Sequence, residues 1–198
     1  MKNRRLYVTL GVIALVVILI FSGAKNTYNS MVKYDEGVNV AWSQVVTDYQ
    51  RRIDLIPNLV NTVKGYADFE QETLIGVIEA RSNASKVNLN VDNLDENSLR
   101  MIEQTQAALS SALSRLLVTV ERYPDLKANT NFRDLQAQLE GTENRIANAR
   151  RKFNEATQEY NFYIRQFPKN IYASIFGFRT KPYFEAAEGA EKVPEVQF

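Results

Sequence analysis

Residues 38–63 read VNVAWSQVVTDYQRRIDLIPNLVNTV, and the fold is decided there. Val38, Trp42, Val45, Tyr49, Ile56 and Val63 recur in alternating steps of three and four with one gap near Arg52, the spacing of a single buried helical face. This stretch is therefore a core helix. It contains Pro57 well inside its length, which disfavours a helix by roughly 3 kcal/mol and leaves the carbonyl of Ile53 without its normal donor. The nearest polar side chains able to satisfy or solvate that carbonyl are Asp54, Asn58 and Asn61.

The composition narrows the remaining choices. A chain of 198 residues, 45% hydrophobic and 24% charged, has room for one anchor and one domain with a sizeable core. Lys and Arg number 24 against 23 Asp and Glu, and setting aside Lys2, Arg4 and Arg5 leaves a body at minus two. That balance carries no expectation of nucleic-acid binding. The chain has no cysteine and no histidine, which excludes disulfides and thiol catalysis and removes the commonest general base and metal ligand. No cofactor, metal site or catalytic residue is expected.

Three cations within residues 1–5 precede an uncharged run from Leu6 to Ala24. Its nineteen residues are enough to cross a hydrocarbon core of ~30 Å at 1.5 Å per residue. Ser22 and Ala24 would also fit a signal-peptide cleavage site, but the run exceeds the usual apolar region of about 7–15 residues, so a retained single-pass anchor over 6–24 is the preferred reading. Charge bias keeps the amino terminus cytoplasmic and puts the body outside the bacterial cytoplasmic membrane. The apolar phase continues through Ala24, Tyr28 and Met31 into Val38, so the spanning helix runs on across the connector 25–37, with Asp35-Glu36-Gly37 as its expected hinge.

Beyond Val63, Gly65 suits a helix end, and Asp68 with Gln71 reads as a cap for a second helix from Phe69 to about Ala84; one longer helix threaded through Ala67 is the alternative. Ser82 to Ser98 is rich in Asn and Asp and reads as a surface connection. A third helix follows Leu99, Ile102, Gln106, Leu109, Leu113, Leu116 and Val120 and stops at Tyr123-Pro124. A fourth follows Phe132, Leu135, Leu139, Thr142, Ile146, Ala149, Phe153, Ala156, Tyr160 and Tyr163, with Asn131 or Asp134 at its start and Phe167-Pro168 at its end. Four helices with one coiled-coil-like apolar stripe each hide those stripes by packing together. The predicted fold is all-α, an up-and-down four-helix bundle over 38–166 behind the transmembrane helix, with 167–198 as an aromatic cap and tail.

The wording Gln50-Arg51-Arg52-x-Asp54-Leu55-Ile56-Pro57-Asn58-Leu59-Val60, followed by Thr62-Val63-Lys64-Gly65-Tyr66-Ala67, resembles the signature of the LemA family of bacterial membrane-anchored helical proteins. Tyr123-Pro124-x-Leu126-Lys127-Ala128, Thr142-Glu143-Asn144-x-Ile146, Phe153-Asn154, Tyr160-Asn161 and Phe176-Gly177-Phe178 extend the similarity over nearly the whole body. The resemblance implies the same helical bundle and lends no catalytic claim. Phe69 departs from it where relatives often carry a histidine, so no metal-binding expectation transfers to that position.

Arg51, Arg52, Asp54 and Asn58 around Pro57, with Thr142, Glu143, Asn144, Arg150, Asn154 and Asn161 on the last helix, are expected to form one hydrogen-bond network fixing helix register. The competing reading makes Asp54 or Glu143 an acid or base in a ligand pocket. Glu36, Glu70, Glu72 and Glu79 lack the histidines of a di-metal carboxylate bundle and read as solvated. Ile171, Tyr172, Ile175, Phe176 and Phe178, with Tyr183 and Phe184, form an aromatic segment that caps the core, meets a neighbouring copy or meets the lipid interface. The function expected is a membrane-tethered, self-associating scaffold of the cell envelope, not an enzyme, with a protein partner possible. The alternative is a ligand-sensing or hydrolytic subunit using the polar seam.

Overall fold

Every long apolar stripe in the chain forms a helix. The computed structural model describes residues 2–66, 70–91 and 94–185, with the side chains of residues 2–6, 16 and 20 set aside. It contains α1 (Lys2–Lys64), α2 (Gln71–Ser85), α3 (Glu96–Val120), α4 (Pro124–Ala128), α5 (Thr130–Arg165) and α6 (Lys169–Phe176). No strand occurs among the described residues, so the protein is all-α.

Two compact units make up the described chain. One holds residues 41–154 with 182–185. Its core gathers Ile53, Ile56, Leu59 and Val63 of α1, Leu74 and Val77 of α2, Leu109 and Leu116 of α3, Leu126 of α4, and Phe132 and Leu139 of α5. Four long helices and one short one therefore share a single bundle core, as amphipathic stripes require. The other unit holds residues 2–40 with 155–181, and Met31, Val38, Tyr160, Ile164 and Ala173 are buried there.

The stripe on α1 has no real gap. Trp42, Val45, Tyr49, Ile56 and Val63 are all buried, and the missing position is filled by Arg52, itself only 2% exposed. The expected hinge at Asp35-Glu36-Gly37 is continuous helix. Pro57 also lies within α1, and the carbonyl of Ile53 accepts a hydrogen bond from Nε of Arg81 on α2 at 3.0 Å. The compensation expected from Asp54, Asn58 or Asn61 thus comes from a neighbouring helix, whose guanidinium reaches a carbonyl that local side chains leave alone. Asp54 accepts from Gln50 instead, and Asn58 is exposed.

Several boundaries move for local reasons. α1 ends at Lys64 and α2 begins at Gln71 with Glu70 at its cap, while the expected capping residue Asp68, with Phe69, lies outside the described residues. The Asn-rich connection starts after Ser85, since helix α2 continues through Ser82–Ser85. α3 opens on a capping box: Asp95 accepts from the Ser98 backbone at 2.7 Å, and Ser98 Oγ accepts from the Asp95 backbone at 2.8 Å. Backbone and side-chain bonds from Ser98 lower the Asp95 pKa. Pro124 opens α4 instead of closing α3, which already ends at Val120, because proline lacks only an N–H that the first turn leaves unused. At the start of α5 the cap is Asn129, whose Oδ1 accepts from the Phe132 backbone at 3.1 Å, not Asn131 or Asp134. Arg165 is the last residue of α5.

α1 is the one described helix long and apolar enough to cross a membrane, and Tyr7, Leu10, Ile13, Ile18 and Phe21 along its first part are exposed.

The bond from Arg81 to the Ile53 carbonyl predicts a thermodynamic coupling. Arg81→Leu should cost about 1–2 kcal/mol, the penalty for a stranded carbonyl. In a Pro57→Ala background, where residue 57 regains its N–H, the same substitution should cost less than half as much. Urea unfolding of the full-length chain in detergent, followed by fluorescence of Trp42, its single tryptophan, measures both, and equal costs would refute the assignment.

Candidate functional site

Burying a guanidinium demands compensation, and Arg52 receives it from two other helices. Its Nη2 donates to Oε1 of Gln106, and its Nη1 donates to Oγ of Ser110 at 3.0 Å and pairs with Glu143. Ser110 in turn donates to Glu143 at 3.4 Å. α1, α3 and α5 are thereby joined at one level. Tyr49, one turn earlier, lies 5.9 Å from the Arg52 guanidinium carbon, and its hydroxyl has no hydrogen-bond partner among the described residues. Burial pushes the Tyr49 pKa up to about 12, against the opposing pull of Arg150 and Arg52.

A second cluster surrounds Asp48, which is buried on α1. It accepts from Gln44 at 3.0 Å and pairs with Arg145 at 3.7 Å. Arg145 also donates to Thr142, and Thr142 donates to the Gln138 carbonyl at 2.7 Å.

A third cluster uses Arg150 and Asn154. Arg150 pairs with Glu103 of α3 and stands 4.3 Å from the ring centre of Phe184. Burial raises the Glu103 pKa, and the Arg150 charge acts against that rise. Asn154 donates to the Phe184 carbonyl and accepts from the Phe184 N–H, both at 2.9 Å. The Phe184 ring lies against Trp42 and Phe153, with centroids 5.9 and 5.4 Å away, and the Trp42 indole N–H donates to the Leu89 carbonyl at 2.8 Å.

In the other unit Asn161 repeats this device. It donates to the Lys181 carbonyl at 2.8 Å and accepts from the Lys181 N–H at 2.9 Å, while Lys181 pairs with Asp35 at 2.7 Å. Tyr160 donates to the Arg179 carbonyl at 2.9 Å, and burial raises its pKa to about 12.

The single network expected from the sequence is therefore several. Arg52 and Glu143 come together; Thr142 belongs to the Asp48 cluster; Arg150 and Asn154 serve Phe184; Asn161 serves Lys181. Arg51, Asp54, Asn58 and Asn144 are exposed, and Pro57 is half-buried. Asp48, Gln106, Ser110, Glu103, Arg145 and Arg81 were not among the expected members. Gln106 carried a legible signal, a polar residue on an otherwise apolar stripe. Of the aromatic segment, Phe184 is core, 6% exposed, whereas Ile171, Ile175, Phe176 and Tyr183 are exposed. Among the described residues, no three His, Cys, Asp or Glu side chains converge as a metal site would require.

These clusters define an all-α bundle whose buried polar groups hold helices and returning segments in register. The model of the LemA family matches residues 41–198, and the chain belongs to that family. It is 25% identical over 175 residues to magnetosome protein MamQ 2 of Paramagnetospirillum magneticum, covering 80% of this chain and 64% of that protein. MamQ of Magnetospirillum gryphiswaldense is 25% identical over 174 residues, covering 79% and 64%. Protein LemA of Metamycoplasma hominis is 25% identical over 160 residues, covering 81% of this chain and 69% of that protein. The chain thus spans just under two thirds of the length of the MamQ relatives.

Two outcomes check this account. Arg52→Met and Gln106→Leu should each cost about 2 kcal/mol, and the double variant should cost at least about 1 kcal/mol less than the two together, because removing both leaves neither stranded. Strict additivity in urea unfolding would mean that the two side chains do not act as a pair. The second outcome concerns alkali. The unfolded tyrosine ionises near its ordinary pKa of 10 while folded Tyr49 holds its proton to about 12, so its contribution is intact below pH 10 and declines from pH 10 to 12. The loss is on the order of 2 kcal/mol. Tyr49→Phe should match or exceed the parent's stability at neutral pH and lack this part of the alkaline decline, as stability measured against pH would record.

Proposed function

We propose that this chain is a single-pass, membrane-anchored, non-catalytic helical scaffold of the bacterial cell envelope that self-associates and offers its bundle outside the cytoplasmic membrane to a protein partner. The observation that carries the reading is the use of the seam: Arg52, Asp48, Asn154 and Asn161 each bind another structural element of the same chain. Such groups fix the relative position of helices and returning chain, which is what a rigid interaction module requires. The apolar first part of α1 and membership of the LemA family support the membrane-bound part of the proposal. On this reading residues 6–24 are the anchor, 25–37 the connector, 38–166 the bundle and 167–198 the cap and tail. An anchor holds copies in two dimensions, which raises their effective concentration for weak lateral contacts.

The mass of the full-length chain in mild detergent, corrected for bound detergent by light scattering, tests self-association. A discrete assembly retained on dilution is expected, and a monomer at all concentrations would remove self-association from the proposal. Alkaline phosphatase fused after Phe198 should be active if the bundle lies outside; an inactive fusion would reverse the orientation.

A further inference from the structure

Within the unit formed by residues 2–40 and 155–181, α6 lies beside the part of α1 that leaves the apolar run. The Tyr28 ring meets Phe176 edge-on with centroids 5.0 Å apart, and Phe178 at 5.7 Å. Gly177, at φ +80°, makes this possible: it ends α6 in the left-handed conformation and turns the chain so that Phe178 N–H reaches the Ala173 carbonyl at 2.9 Å. Six residues further along α1, Tyr34 meets Tyr163 of α5 at 4.8 Å, which ties the end of α5 to α1 there too.

Tyr28 is four residues past Ala24, the last residue of the uncharged run, hence about 6 Å further along the helix axis. The headgroup layer on each face of a bilayer is about 5–8 Å deep, so with α1 spanning, α6 falls at headgroup level. Three large apolar side chains of α6, Ile171, Ile175 and Phe176, are exposed there, beside the exposed Asn170 and Ser174. Ile171 and Ile175, at i and i+4, share one face and are 50% and 69% exposed, while the opposite face buries Ala173. Phe167, just before the helix, is exposed too. Isolated exposed apolar residues are ordinary; a group of large ones on one short helix marks a contact surface.

Charge points the same way. Arg165 and Arg179 line a groove of about 550 Å³ beside α6, together with Ser174 and Thr180. Neither guanidinium is paired with a carboxylate among the described residues. Arginines flanked by hydroxyl groups suit phosphate oxygens.

We propose that α6 is a second membrane contact: an interfacial helix that rests Phe167, Ile171 and Ile175 on the bilayer α1 crosses, while Arg165 and Arg179 hold the phosphates of anionic lipids. This rests on the reading of α1 as a membrane span. Held at two points, the anchor could not turn freely about its own axis.

The chain has no cysteine, so single thiols can be placed cleanly. Leu19→Cys, Ile175→Cys and Glu159→Cys variants of the full-length protein, labelled with an environment-sensitive fluorophore, would be reconstituted into vesicles of phosphatidylcholine and phosphatidylglycerol containing doxyl-labelled lipid. Quenching at 19 and at 175, with 159 on exposed α5 unquenched, is the expected result. Quenching at 19 alone leaves the span intact and overturns the role of α6, and no quenching at either overturns the span itself. A label at 175 that is shielded from water yet unquenched means that protein covers α6, which also overturns the proposal. Omitting phosphatidylglycerol, or introducing Arg165→Gln with Arg179→Gln, should lower quenching at 175 about two-fold and leave 19 unchanged. Indifference to both would overturn the assignment of the arginines to lipid phosphate.

Discussion

A guanidinium cannot be taken out of water without partners, and Arg52 is almost wholly out of water. It occupies the position on α1 where an apolar side chain would continue the stripe, so the helices around it must supply oxygen atoms at its level. Gln106 and Ser110 of α3 and Glu143 of α5 do so. An apolar seam tolerates a slip of one turn, because one leucine replaces another. This arrangement does not, since a slip would leave a charge stranded at a cost of several kcal/mol. Register in the bundle follows from that constraint.

The same logic recurs with the main chain. Pro57 deprives the Ile53 carbonyl of its helical donor, and Arg81 replaces it from α2. Asn154 and Asn161 each offer one donor and one acceptor to a single residue of the returning chain, imitating the pair of bonds that a strand would provide. Trp42 pins the Asn-rich connection through the Leu89 carbonyl. In each case a side chain satisfies backbone that regular structure leaves open, and the two otherwise separate elements become fixed to one another. Three buried side-chain atoms have no partner among the described residues, the Tyr49 hydroxyl, Nε of Arg52 and the Thr157 hydroxyl, and at Tyr49 the packing of the ring offsets that omission.

A family defined by such contacts need share no chemistry. The motif around Pro57 combines helix-seam residues, a proline and a buried arginine, and each has a structural task in this chain. Resemblance concentrated on those positions speaks for a common architecture, and in this chain that architecture includes an apolar first helix, a shared bundle core and an exposed apolar face on α6.

Read alone, the sequence determined the elements that repeat. Stripes with steps of three and four named the four long helices and many of their buried residues, Trp42, Leu109 and Tyr160 among them, because burial of one face is written directly into spacing, but they passed over Ile53, Leu59, Val60 and Thr157 on the flanks of those faces. It likewise determined the apolar run, whose signal is a matter of composition. Partners in space were another matter. That Arg81 serves Ile53, that Gln106 faces Arg52, that Asp48 is buried and that Phe184 returns to the core all depend on which helix faces separate in sequence come to meet. Periodicity says that a face is buried and is silent on what it is buried against, so only the tertiary structure could divide one presumed polar seam into distinct clusters and leave α6 with its apolar face uncovered.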